Sequence, residues 1–386
     1  MVIHGDAWCS YHPYDLCAMA QRISESFVLG TTIGQYDQRK PFTLEPSWFA
    51  RGAVIVGTPG VGKSHDIALI ARNLGNTGVA VVILDRTGEH AKALSNLPYC
   101  TVYTPGENLP ISLLEADHGW ADDEVVESAI DMLSHYVQVS FPEGRSLTAS
   151  QEKILGNCVQ KLLEATPKGK IPRITDLMKI VREYHEPQAY QGLIESRESV
   201  ISRLRPLTVG ASRMVFDSEE SLSFETFFGP GIHVIELSAL RFEQPKNLVS
   251  QIVIKRLYHM AKEKGVSDDL RQLLIVDEAH HIAPDRRDYT SFLDSIMIEN
   301  RKYGQGILVA TTSPAQLSMS LLRNASILVS HLLNDGEDIN LMLRLMVNED
   351  EWDLFRSYFM ELNMGEAMVR VSTPEHVPKT KVKVSE

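Results

Sequence analysis

Short apolar runs alternate with longer amphipathic stretches along most of the chain. Residues 53–56, 79–85, 99–103, 231–237, 272–276, 306–312 and 326–330 are rich in aliphatic and β-branched residues and read as buried strands. Between them, apolar positions at helical spacing predict helices from Lys63 to about Arg72 and over 245–262, 289–303, 337–346 and 350–360. Two closing strands are expected at 367–371 and 379–384, one helix over 14–27, and irregular or short extended structure over 31–51.

The character changes between 112 and 227, where four helical stretches follow one another. The first, 122–140, carries acids in its first turn and Val126, Ile130, Leu133 and Val137 on one face. Thr148 and Gln151 form a capping-box pattern ahead of Ile154, Cys158 and Leu162. Stretches 175–184 and 189–204 complete the set. Strands alternating with helices imply an α/β fold with a mainly parallel sheet covered on both faces. The expected division is an N-terminal helical segment (1–30), a first part of the core (31–111), an α-helical insertion (112–227), a second part of the core (228–375) and a C-terminal tail or strand (376–386).

Composition narrows this picture only a little. A chain of 386 residues suits one large domain with an insertion, or two domains. No apolar run reaches the roughly 18 residues of a membrane span, and the N-terminus lacks a secretory pattern. Four scattered cysteines, Cys9, Cys17, Cys100 and Cys158, point to reduced thiols and a cytoplasmic protein. Cys9, His12 and Cys17 have neither the spacing nor the fourth ligand of a zinc site. A net charge of −12 excludes a surface that is nucleic-acid footprint throughout, but leaves room for a local basic channel. Basic residues cluster at Arg39-Lys40, Lys168 to Arg173, Arg203-Arg205, Arg286-Arg287 and Arg301-Lys302.

The candidate chemistry begins at Gly57-Thr58-Pro59-Gly60-Val61-Gly62-Lys63-Ser64, which fits G-x-x-x-x-G-K-[ST] between a strand and a helix. Glycines let backbone N–H groups turn inward around a phosphate chain. Lys63 reaches the outer phosphates, Ser64 offers an oxygen to Mg²⁺, and the helix adds its positive end. The candidate nucleotide-binding set runs from Gly57 through Ser64 to His65. A second half-site follows four aliphatics at Asp277-Glu278: Asp277 would hold Mg²⁺ with Ser64, and Glu278 would polarise a water in line with the γ-phosphate. Thr312, at the end of the next strand, is a candidate sensor of that phosphate. Arg51 and Arg301 are candidate arginine fingers supplied by a neighbouring copy.

The ordered set of these features resembles the HerA/FtsK superfamily of DNA-pumping ATPases, and most of all its HerA branch. The likeness runs from Leu29-Gly30 and Gly34 through the phosphate loop, Leu84-Asp85-Arg86-Thr87-Gly88-Glu89-His90, the helical insertion and Ile235-Glu236-Leu237-Ser238. It continues through Asp277 to Pro284, Asn300-Arg301-Lys302-Tyr303-Gly304, Thr311-Thr312-Ser313-Pro314 and Gly365-Glu366-Ala367. The resemblance implies a RecA-like P-loop core and a hexameric ring around double-stranded DNA. It also implies ATP- and Mg²⁺-dependent translocation beside a partner nuclease or other effector, in DNA repair or antiviral defence. Arg286, Arg287, Arg203 and Arg205 are the DNA-contact candidates.

The chain departs from the family in several places. Only about thirty residues precede Gly30, where the family carries a β-barrel. Thr312 stands where the family has glutamine, Pro59 where threonine is common, and His331 near a usual arginine. Two other readings compete. A nucleotide-gated scaffold would assemble an effector with little pumping. An AAA+ ATPase would suit Gly57-Thr58-Pro59-Gly60, but not the long separation of Lys63 from Asp277.

Overall fold

The computed structural model describes residues 26–33, 39–114, 121–141, 146–168, 170–185, 191–287, 289–372 and 380–385. Eleven strands form one sheet: β1 (Phe27–Ile33), β2 (Pro41–Leu44), β3 (Ala53–Val56), β4 (Ala80–Asp85), β5 (Cys100–Tyr103), β6 (Gly231–Glu236), β7 (Ser267–Val276), β8 (Tyr303–Thr311), β9 (Ile327–Ser330), β10 (Glu366–Val371) and β11 (Thr380–Val384). Their spatial order is β2-β1-β11-β10-β9-β3-β8-β7-β4-β6-β5. From β9 to β5 every pairing is parallel. From β9 back to β2 every pairing is antiparallel.

The parallel strands are apolar on both faces because side chains alternate across the pleat and both faces are covered. Val54, Val56, Val82, Leu84, Val276 and Val309 join one core cluster, which also takes in the helices of the 122–216 region and the helix Glu243–Glu263. Ala53, Ile55, Val81, Ile83, Ile275 and Leu308 face the other way, onto Ile67, Ile70 and Leu74 of the helix Lys63–Gly75. The Thr148–Gln151 capping box forms as its spacing requires. The amide of Gln151 donates to Thr148 Oγ1 at 3.4 Å, and that of Thr148 to Gln151 Oε1 at 3.1 Å.

At the N-terminal side one expectation changes. Residues 14–25 of the expected helix lie outside the described residues, and Phe27 opens a strand instead. The described part of 31–51 holds the end of β1, then β2 and the 3-10 turn Pro46–Arg51, in keeping with the irregular or short extended structure expected there. β1 is a strand because it pairs with β11, at the far end of the chain: Gly30 lies opposite Val384. A Cβ at Gly30 would meet the Lys383 carbonyl oxygen at 2.2 Å, so only glycine permits that approach. The helix expected over 289–303 is shorter, Phe292–Glu299 followed by a 3-10 turn, because Ser291 caps it through Asp294.

Candidate active site

In an open parallel sheet, ligands sit beyond the carboxyl ends of the strands. Here three adjacent strands, β3, β8 and β7, end together at that edge. The phosphate loop follows β3, Thr312 follows β8, and Asp277-Glu278 follow β7. Neighbouring strands lie about 4.8 Å apart, so the loop and the acids are separated by roughly 10 Å with Thr312 between them.

The loop is tied down at its start. Gly57 N–H donates to the Thr311 carbonyl at 3.3 Å and Thr58 N–H to the Leu332 carbonyl at 3.0 Å. A Cβ on Gly57 would press on Cβ of His331 at 2.7 Å, and Gly62 takes φ = +128°, a conformation side chains rarely adopt. Lys63 opens the helix and is 6% exposed, with Nζ donating to the carbonyls of Gly57 at 2.7 Å and Thr58 at 3.2 Å. Burial pulls its pKa down, against the raising influence of Glu278, Asp277 and Glu89. Ser64 Oγ donates to Glu89 Oε2 at 2.7 Å. Beneath the loop, buried His331 sets Nε2 2.9 Å from Asp66 Oδ2 and Nδ1 3.1 Å from the Glu366 carbonyl. His331 therefore braces the loop from below instead of facing a nucleotide.

Asp277 is buried, with Oδ1 accepting from the amide of Glu278 at 3.0 Å and Oδ2 3.4 Å from His90 Nε2. Glu278 is the one non-glycine residue among those described with positive φ (47°), a strained turn that costs about 1–2 kcal/mol. The turn aims its carboxylate at Thr312 Oγ1, which donates to Oε2 at 3.4 Å, and at His280 Nδ1, 3.3 Å away. His280 Nδ1 also lies 3.1 Å from Thr311 Oγ1. Burial and the adjacent Asp277 charge push the Glu278 carboxyl pKa up, while Lys63 and Thr312 oppose the shift. Burial, then the Arg86 charge, lowers His280, and the same two causes bring His281 to about 4.

The turn after β4 completes the floor. Asp85 Oδ1 accepts from Thr87 N, Thr87 Oγ1 and Gly88 N, and Oδ2 from Ala91 N at 2.8 Å. Arg86 is buried and donates to Glu243 and, at 3.0 Å, to Asn247 Oδ1. Burial lowers its pKa against the pull of Glu243, Asp277 and Glu278.

The structure thus brings together Gly57 to Ser64, Asp277, Glu278 and Thr312. It does not bring the other candidates to them. His65 turns its ring away, with Nε2 2.5 Å from the Ser385 carbonyl at the end of β11, because its place on the helix faces outward. Arg51 and Arg301 lie in adjoining 3-10 turns that precede β3 and β8, at the opposite edge of the sheet. The length of β8 alone puts roughly 25 Å between Arg301 and Thr312. Within one chain neither arginine reaches the site. Arg203 bonds Gln151 Oε1 and, with exposed Arg205, lies among the helices between β5 and β6. Arg286 donates to the Gln138 carbonyl at 2.9 Å, and Arg287 is exposed beside it, on the segment that follows the acids. Arg86, Glu89 and His90 enter the sequence reading only as part of the Leu84 to His90 stretch of the family resemblance, with no role assigned, and nothing in the sequence shows the contacts of His280 with Glu278 and Thr311.

Comparisons with known proteins agree with this architecture. A family model described as "Helicase HerA, central domain" matches residues 27–257. A "Probable helicase MJ1565" from Methanocaldococcus jannaschii is 22% identical over 343 residues, or 83% of this chain and 60% of that protein. The chain therefore spans less than two thirds of that curated relative. Among solved structures, VirB4 of Thermoanaerobacter pseudethanolicus matches with a TM-score of 0.70 at 16% identity, covering 94% of this chain and 96% of that one. The conjugative coupling protein TrwB, in complex with ADP and Mg²⁺, gives 0.64 at 15% identity over 94% of this chain and 95% of its own. The fold is that of a RecA-like P-loop NTPase. Among the described residues no helix is long and apolar enough to cross a membrane.

Proposed function

The chain belongs to the HerA helicase central-domain family, and from that premise we propose that it hydrolyses ATP to ADP and phosphate as the motor subunit of a hexameric ring that translocates double-stranded DNA. The observation that carries the reading is the convergence of Lys63, Asp277, Glu278 and Thr312 at one sheet edge. The loop amides and Lys63 take the phosphate chain, and the Glu278 carboxylate orients a water and accepts its proton. Its raised pKa makes it a better base than an ordinary surface glutamate. The oxygen donors Ser64 and Asp277 suit Mg²⁺, which would neutralise charge on the outer phosphates. TrwB has been solved with ADP and Mg²⁺ and with an ATP analogue, which supports ATP as the ligand here.

Arg51 or Arg301 would complete the site of a neighbouring copy, since each lies far from its own. Arg286 and Arg287 are the preferred DNA contacts because both are exposed on the segment that follows the acids; Arg203 is half-buried and engaged with Gln151. A nuclease or other effector is the expected partner, in repair or antiviral defence. Cys100 and Cys158 are free thiols with pKa pushed up to about 11 by burial, as suits a cytoplasmic protein. A scaffold without turnover would have no use for a strained Glu278 held on Thr312.

The test is ATP turnover with and without duplex DNA, with assembly followed by mass measurement. Wild type should hydrolyse ATP faster with DNA, and the stimulation should fade with salt. Lys63→Ala should lose nucleotide binding, and Glu278→Gln should bind ATP and hydrolyse it at least a hundredfold more slowly. Equal turnover by wild type and Glu278→Gln would refute the reading.

A further inference from the structure

The turn after β4 reaches both groups that the reading above assigns to the metal. Glu89 accepts from Ser64 Oγ at 2.7 Å, and the next residue, His90, sets Nε2 3.4 Å from Asp277 Oδ2. His90 is fully buried, and neither of its ring nitrogens makes a well-aligned hydrogen bond. An imidazole in that condition needs a reason to be there, because burying an unsatisfied polar group is costly.

Two reasons fit the chemistry. Atoms of Asp85, His90 and Asp277 lie within 4.8 Å of one another, close enough to suggest a resident metal ion. Asp85, however, already accepts four hydrogen bonds from the turn it organises, three of them from the amides of Thr87, Gly88 and Ala91. Recruiting it to a metal would dismantle the turn that presents Glu89 and His90. A carboxylate so used is a fixed cap, and the side chain it leaves pointed at Asp277 is His90.

We propose that His90 is a positioning residue: held by the Asp85-capped turn, its imidazole fixes the Asp277 carboxylate and thereby sets how tightly the site takes a divalent cation beside the nucleotide. The inference rests on the assignment of Asp277 to the metal. The long Nε2–Oδ2 contact is of the kind that tightens when a site is loaded. Groups that orient a metal-binding carboxylate from behind typically change affinity 10–100-fold when removed.

The test is binding of Mn²⁺ to the full chain in saturating ADP, read by electron paramagnetic resonance, so that no turnover is needed. His90→Phe should weaken Mn²⁺ at least tenfold while ADP affinity measured in EDTA stays within twofold. His90→Gln, which keeps a donor, should stay within about threefold of wild type. Asp85→Asn, which loosens the turn without touching the imidazole, should weaken Mn²⁺ in the same direction and serves if His90→Phe does not fold. Unchanged Mn²⁺ affinity in His90→Phe, with only a lower melting temperature, would overturn the proposal. So would stoichiometric Mn²⁺ or Zn²⁺ bound by wild type without nucleotide and lost in His90→Phe, since His90 would then be a ligand. If the wild type binds no Mn²⁺ with ADP, or if Lys63→Ala leaves ADP binding intact, the ATPase reading itself falls, a result separable from the first two.

Discussion

Replacing His331 with alanine tests the idea that the phosphate loop is held from beneath. His331 and Asp66 side chains are 0% and 1% exposed, with Nε2 2.9 Å from Oδ2. Asp66 Oδ1 has no hydrogen-bond partner even in the intact protein. Removing the imidazole therefore leaves a buried carboxylate with neither oxygen satisfied, and vacates the space against Gly57 and Gly62. Leaving a buried polar group unsatisfied costs about 1–3 kcal/mol, a sizeable share of the roughly 5–15 kcal/mol that holds a domain together. Removing both partners deletes the stranded carboxyl group. Asp66→Ala with His331→Ala should then cost about 2 kcal/mol less than the sum of the single changes. Urea unfolding of the four proteins without nucleotide gives the cycle, and ADP titration of the folded variants reports on the loop. Additive costs, or a cost below about 1 kcal/mol for His331→Ala, would show that the pair does not brace the loop.

Three further outcomes are expected. Gly62→Ala places a side chain at φ = +128° and should lower ADP affinity at least tenfold with the fold retained; unchanged affinity would mean the loop relaxes freely. The raised Glu278 pKa favours the folded state fully below the ordinary glutamate value of 4.5, and that contribution is lost as pH rises through the folded value. Glu278→Gln should therefore melt higher than wild type at neutral pH without nucleotide, and the gain should vanish below about pH 4.5; a gain that persists in acid would refute the cause. Arg301→Ala or Arg51→Ala should lower turnover of the assembled protein by about 10³ with nucleotide affinity intact. Mixing the affected variant with Lys63→Ala copies should restore activity, and no recovery on mixing would exclude a finger supplied by a neighbour.

What the sequence disclosed was local. The phosphate loop, the Asp277-Glu278 pair and the Thr148–Gln151 cap each rest on side chains a few residues apart, so spacing alone carried them. The alternation that sends Val54 and Val56 to one face and Ile55 to the other is likewise a short-range property. Sheet order is not, and it decides the site: β8 lies between β3 and β7, which is why Thr312 meets Glu278. Strand β1 was missed because its partner is β11, near the other end of the chain, and Gly30 was the one local hint. The partnerships of His331 with Asp66 and Arg86 with Glu243 span most of the core, and no periodicity announces them. His65 was assigned to the cradle by adjacency, yet one step along a helix turns a side chain by about 100°, enough to face it outward.

The same long-range contacts bear on how hydrolysis could be felt elsewhere. Coupling between distant regions needs a contiguous set of contacts that differs between states. From the catalytic edge, Arg86 grips Glu243 and Asn247 at the start of the helix Glu243–Glu263. Asn247 Nδ2 in turn donates to Ser140 Oγ at 3.2 Å, at the end of the helix Asp122–Ser140. Lys255 and Arg286 hold the same helix through Asp131 and the Gln138 carbonyl. Arg86 is the pivotal member because it feels both Asp277 and Glu278 and still has one guanidinium nitrogen without a hydrogen-bond partner. These contacts tie the helices between β5 and β6 to Arg86, a buried cation that lies, like Lys63, within the field of Asp277 and Glu278.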